Sequence, residues 1–169
     1  MAVPDKTIDP KILDCAKAEF LEKGYMNASL RQICANAGVT TGALYKRYSG
    51  KEALFKALVQ DVLDDIEKVI SDRHVDYSKE KLTDTQLYHM WTLTEGYLDW
   101  WYNFLLERKD AFTLLLKCSE GTQYQSFQHD LVERICEETY RCYTAAATRG
   151  LVRNDISRRE LHVLTTAFW

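Results

Sequence analysis

The placement of glycine constrains the fold of this chain more than any other feature. Four of its seven glycines (Gly24, Gly38, Gly42 and Gly50) lie in the first fifty residues, and only three serve the rest of a 169-residue sequence that holds just two prolines. Short helices in front and long helices behind are the consequence, because little in the later part can turn the chain. No segment alternates apolar and polar residues as a half-buried strand would, so the expected class is all-α.

The front part divides at those glycines. Between Asp9 and Lys23 the residues Ile12, Leu13, Ala16, Phe20 and Leu21 recur at helical spacing, with Asp9 as N-cap and Pro10 at the first helical position. Gly24 ends this helix, since glycine takes the left-handed conformation that closes a last turn. Ser29 and Gln32 have capping-box spacing ahead of a second short helix, with Leu30, Ile33, Cys34 and Ala37 facing inward and Gly38 closing it. Thr40 then caps "TGALYKRY", whose Leu44 and Tyr48 point back to the core. Helix, short glycine-bearing turn, helix is a helix-turn-helix.

From Lys51 to Arg73 the apolar residues Leu54, Phe55, Leu58, Val62, Ile66, Val69 and Ile70 keep a period near 3.6 and predict one long helix. Further helices are expected over residues 84–107, 109–119 and 124–149 and from Ser157 onward, with "HVDYSKEKLTDTQ" and "RGLVRNDIS" as connectors. The sequence stops at "LHVLTTAFW" inside an apolar helical pattern, which predicts a longer natural chain.

Charge separates the two parts. Residues 1–58 hold nine Lys or Arg against six Asp or Glu, and residues 59–169 hold thirteen against nineteen. A basic head suits a polyanion while an acidic body is repelled from it. The start "MAVPDKTIDPKIL" has no signal-peptide core, and no apolar run nears the roughly 20 residues of a membrane span, so a cytoplasmic protein is expected. Five cysteines (Cys15, Cys34, Cys118, Cys136, Cys142) show no zinc-ligand spacing and read as reduced core residues. His89 and His129 lie in no known metal pattern, and neither a nucleophile elbow, a phosphate loop nor a paired acid and base occurs. An enzyme, a cofactor or a metal site is not expected.

Taken together, "ILDCAKAEFLEKGYMNASLRQICANAGVTTGALYKRYSGKEALFKAL" resembles the DNA-binding domain of the tetracycline-repressor (TetR) family of bacterial regulators, at Phe20, Gly24, Ile33, Ala37-Gly38-Val39, Gly42, Leu44-Tyr45 and Lys51-Glu52 among other positions. The resemblance implies a three-helix head at residues 1–50 and a helical ligand-binding and dimerisation domain at 51–169, truncated at its last helix. It also implies that Tyr45 contacts phosphate. Two positions depart from the family pattern: Arg47 stands where histidine or tyrosine is usual, and Gly50 replaces a capping serine. Ser49 with Glu52 offers a capping box one residue earlier.

The residues support the same assignment independently. The major groove admits one helix, whose first turn offers small polar side chains to bases and phosphates. Thr40, Thr41 and Gly42 occupy that turn, with Tyr45, Lys46 and Arg47 further along. Lys46 reaches either a base edge or a phosphate. Ser29 and Arg31 on one flank and Lys51 on the other are expected to grip the backbone, although Arg31 fits a surface salt bridge equally well.

In the second part, "YHMWTLTEGYLDWWYNF" carries more aromatics than a core helix needs. Trp91, Thr94, Leu98, Trp101 and Leu105 share its inward face, with Met90, Tyr97 and Phe104 beside it and Tyr88, Thr92, Glu95, Asp99 and Tyr102 on the other. The bland reading is core. The functional one is a pocket of Trp91, Thr94, Trp101, Phe112, Cys118 and Phe127 for an apolar or aromatic effector, with Glu95 and Asp99 able to select a cationic one. Val132, Ile135, Thr139, Tyr143 and Ala146, with Leu161, Leu164 and Phe168, are candidates either for a homodimer interface or for internal core. The expected function is a homodimeric regulator, most simply a repressor, on a pseudo-palindromic operator in double-stranded DNA, released by a small molecule. The alternative is a constitutive DNA-binding protein with no effector.

Overall fold

A computed structural model describes residues 8–73, 82–89 and 95–168. Among the described residues the regular elements are helices and no strand occurs: α1 (Ile8–Asn27), α2 (Leu30–Ala37), α3 (Thr41–Tyr45), α4 (Lys51–Arg73), α5 (Asp84–His89), α6 (Glu95–Glu107), α7 (Lys109–Lys117), α8 (Phe127–Thr148) and α9 (Arg158–Phe168). None of these is long and apolar enough to cross a membrane. Two compact units interleave along the chain, one made of Met1–Ile66 with Leu105–Phe127 and the other of Glu67–Phe104 with Gln128–Trp169.

In the first unit Gly24 does interrupt α1, with φ 72° and ψ 164°, but the chain resumes one more turn in which the Ala28 N–H donates to the Gly24 carbonyl at 3.1 Å. Ile12, Ala16, Phe20, Ile33, Leu44, Leu54 and Phe55 are fully buried. Each of the larger of these side chains contributes about 1.5–3 kcal/mol of hydrophobic stabilisation, and Ala16 less than about 1 kcal/mol. Leu30, expected in this core, is only half-buried. The aromatic centre is Phe20, Tyr25 and Phe55, whose ring centroids lie 5.3–5.9 Å apart, with Tyr124 stacked on Phe55 at 6.1 Å. Helix α7 rests on α1 through Lys17 and Asp110 at 3.6 Å and through the Tyr25 N–H, which donates to the Cys118 carbonyl at 2.9 Å.

The second unit is organised around α8. Leu87 of α5 packs with Cys142 and Ala146 in a small core. Tyr143, itself buried, donates its hydroxyl proton to the Arg153 carbonyl at 2.6 Å and accepts from the Asp155 and Ile156 N–H groups at 3.0 Å each, which fastens the connector between α8 and α9. Among the interface candidates, Val132, Tyr143, Ala146 and Leu161 are internal core. Ile135 and Thr139 are half-buried, and the Phe168 side chain lies outside the described residues. Leu164 and its neighbour Val163 face solvent, 60% and 61% exposed.

On α6 the described residues keep the expected inward face except at Leu98. Phe104 is buried, Trp101 and Leu105 are half-buried and Tyr102 is exposed, as expected, whereas Leu98 is exposed; the rings of Trp100, Trp101 and Phe104 stack on one another at 5.3–5.5 Å.

Candidate nucleic-acid interface

The candidate interface lies on α2 and α3, and each begins with a side-chain cap. Thr40 is extended (φ −80°, ψ 154°), and its hydroxyl accepts from the Ala43 N–H at 3.2 Å, which starts α3 immediately beyond it. Leu44 is fully buried and braces this short helix from behind. Thr41, Gly42, Tyr45 and Lys46 are consequently all exposed, Tyr45 by 56%. Gly38, left-handed at φ 67°, sets the turn between the two helices, and the Val39 N–H closes it on the Cys34 carbonyl at 3.0 Å.

Gly42 has no internal reason to be glycine. A Cβ there would meet only the Thr40 Oγ1, at 3.9 Å, an ordinary contact, and its φ is not positive. Glycine within a helix costs about 1 kcal/mol relative to alanine. What its missing side chain leaves open is space on the outside.

Helix α2 is capped from two directions. The Ser29 hydroxyl accepts from the Gln32 N–H at 3.4 Å, as its spacing predicts. The reciprocal half of the box is not made by Gln32, whose amide donates to Asn36 at 2.9 Å. It is made by Glu19 of α1, only 3% exposed, which accepts from the Ser29 N–H at 3.0 Å and from the Lys23 ammonium at 2.9 and 3.0 Å. Burial opposes the charged form of Glu19, yet the Lys23 and Ser29 donors outweigh it and hold this carboxyl below its ordinary value. Ser29 and Arg31 remain exposed on the flank of α2.

Two of the expected DNA-gripping cations are turned onto the protein. Arg47 is half-buried, pairs through Nε with Asp9 of α1, and donates from Nη1 to the Ala43 carbonyl at 3.2 Å. Lys51 donates from Nζ to the Met26 and Ala28 carbonyls, each at 3.1 Å. Sequence position showed both charges near the turn but not the carbonyls and carboxylate they reach.

Of the effector candidates, Trp91 and Thr94 lie outside the described residues. Phe112, Cys118 and Phe127 belong to the first unit, where Phe112 and Cys118 are core, and Trp101 belongs to the second. A cavity of about 450 Å³ in the second unit is lined by Glu67, Ile70 and Ser71 of α4 and by Arg134, Glu137 and Glu138 of α8. Burial pushes the thiols of Cys34, Cys118 and Cys136 up, away from reactive thiolate.

Residues 12–58 match the family described as bacterial regulatory proteins, tetR family. The HTH-type transcriptional regulator UidR of Escherichia coli (strain K12) is 36% identical over 58 residues, 34% of this chain and 28% of that protein. The HTH-type transcriptional repressor DhaR of Mycobacterium sp. (strain GP1) is 32% identical over 69 residues, 41% of this chain and 35% of that protein. The chain thus matches about a third of the length of these relatives. Among solved structures, SCO3833, a member of the TetR transcriptional regulator family from Streptomyces coelicolor A3, aligns with a TM-score of 0.58 at 22% identity over 99% of this chain and 74% of that one, a likeness of fold.

Proposed function

We propose, from a chain whose residues 12–58 belong to the tetR family of bacterial regulatory proteins, that this protein is a DNA-binding transcriptional regulator acting as a homodimeric repressor. Gly42 carries the reading. A glycine that the fold does not require, flanked by the exposed hydroxyls of Thr41 and Tyr45 and the ammonium of Lys46, suits a helix whose outer face comes close to another surface. In this reading Thr41 and Lys46 meet base edges, while Ser29, Arg31, Thr40 and Tyr45 hold phosphates.

Dimerisation supplies the second head that a palindromic operator needs. Val163 and Leu164, apolar and outward on α9, are the surface offered for it. A small-molecule effector would bear on α4, one continuous helix from Lys51 to Arg73 whose later turns line the acidic cavity. Binding there releases DNA only if the effector prefers the non-binding conformation, typically by about 1–3 kcal/mol.

Selection of bound duplexes from a random-sequence pool tests the reading. An enriched inverted repeat, lost when Thr41 and Lys46 are both replaced by alanine, is the expected result. No enriched sequence at low salt would remove it.

A further inference from the structure

A lysine at the start of α4, beside a helix-turn-helix, invites assignment as a phosphate ligand. The geometry points to a different role: we propose that Lys51 is a positioning residue, whose ammonium closes the last turn of α1 and thereby sets where α2 begins, without neutralising a phosphate of bound DNA. The proposal rests on the DNA-binding reading above.

Helix α1 ends in carbonyls that need partners, because the last four C=O groups of any helix have none within it. The Gly24 carbonyl accepts from the Ala28 N–H at 3.1 Å and the Lys23 carbonyl from the Asn27 side-chain amide at 3.3 Å. The Met26 and Ala28 carbonyls take the Lys51 ammonium, at 3.1 Å each. A cation at a helix C-terminus is favoured by the helix dipole as well as by the two bonds. The same ammonium lies 4.7 Å from the centre of the Tyr25 ring. An ammonium has three N–H groups. Two carbonyl oxygens and one aromatic ring are the contacts the structure gives this ammonium.

Ala28 is immediately followed by Ser29, the cap of α2, so the Lys51 contact fixes the carbonyl side of the residue pair whose N–H side is fixed by Glu19. Ser29 and Arg31 are thereby held in position from both sides. The role predicted for Lys51 is therefore exerted through the placement of α2, with its donors turned onto the protein.

The two roles differ in salt dependence. A cation that neutralises a phosphate contributes about 0.9 to the slope of log affinity against log salt, and a positioning residue contributes nothing. Lys51→Met removes the donors and the charge together, whereas Lys51→Gln removes the charge and keeps an amide that donates to a carbonyl. Fluorescence titrations of the selected duplex at several salt concentrations, with thermal melts of each variant, test this on the full chain. Lys51→Met is expected to weaken binding about tenfold with the wild-type slope, and Lys51→Gln to recover most of that loss. Should Lys51→Met not fold, the slope of Lys51→Gln decides alone. A slope lower by about one in either variant, unchanged affinity in Lys51→Met, or glutamine binding no better than methionine overturns the proposal. If the wild-type protein binds no duplex, the functional reading fails instead, and the melts still report whether glutamine restores the stability that methionine loses.

Discussion

The Glu19 carboxylate of α1 accepts a hydrogen bond at 3.0 Å from the backbone N–H of Ser29, the cap of α2, ten residues downstream. This buried carboxylate joins the scaffold helix to the first helix of the helix-turn-helix. Its pKa lies below the ordinary 4.5. A depressed carboxyl stabilises the fold fully above its unfolded value, and that contribution is lost as pH falls through the lower folded one. Glu19→Gln is therefore expected to lower the melting temperature clearly at pH 7, with the difference from wild type shrinking once the pH drops well below 4.5. Melts at pH 7 and pH 3 check this, and a difference that grows on acidification would contradict it.

Thr41 and Tyr45 should separate by the kind of binding they lose. Thr41→Ala is expected to change preference at particular base pairs, each worth about 1–3 kcal/mol. Tyr45→Phe, which removes only a hydroxyl, should weaken every sequence alike. Competition among singly substituted duplexes distinguishes these outcomes.

Tyr143 tests the second unit. Its hydroxyl makes three hydrogen bonds to the connector between α8 and α9. Tyr143→Phe leaves one carbonyl and two N–H groups without that partner and should cost about 1–3 kcal/mol. A fall in melting temperature of roughly 2–4 °C per kcal/mol is the expected reading for a chain of this size.

The head was legible because its signals are local. Glycines, caps and the spacing of Ile12, Phe20, Ile33 and Leu44 act within a few residues, and the helices follow them. What local spacing missed is tertiary. Gln32 fits the capping-box position, but Glu19, buried one helix away, supplies the bond. Arg47 and Lys51 read as charge available to DNA, but long side chains reach distant acceptors, here Asp9 and carbonyls 23 and 25 residues upstream. In the aromatic helix, Leu98 was expected inside and is exposed, while the rings of Trp100, Trp101 and Phe104 stack on one another. The acidic cavity joins α4 to α8 across more than sixty residues of sequence, beyond the reach of any periodicity.

Gly42 gives the most direct test that the outer face of α3 lies against a duplex. Leucine at this exposed position meets no internal clash at its Cβ, and it replaces a poor helix former with a good one. Melting and duplex titration of the same Gly42→Leu preparation should move in opposite directions. Stability is expected to be equal or higher by up to about 1 kcal/mol, and affinity lower by at least about tenfold. A folded Gly42→Leu protein that binds the selected duplex as tightly as wild type would contradict the account.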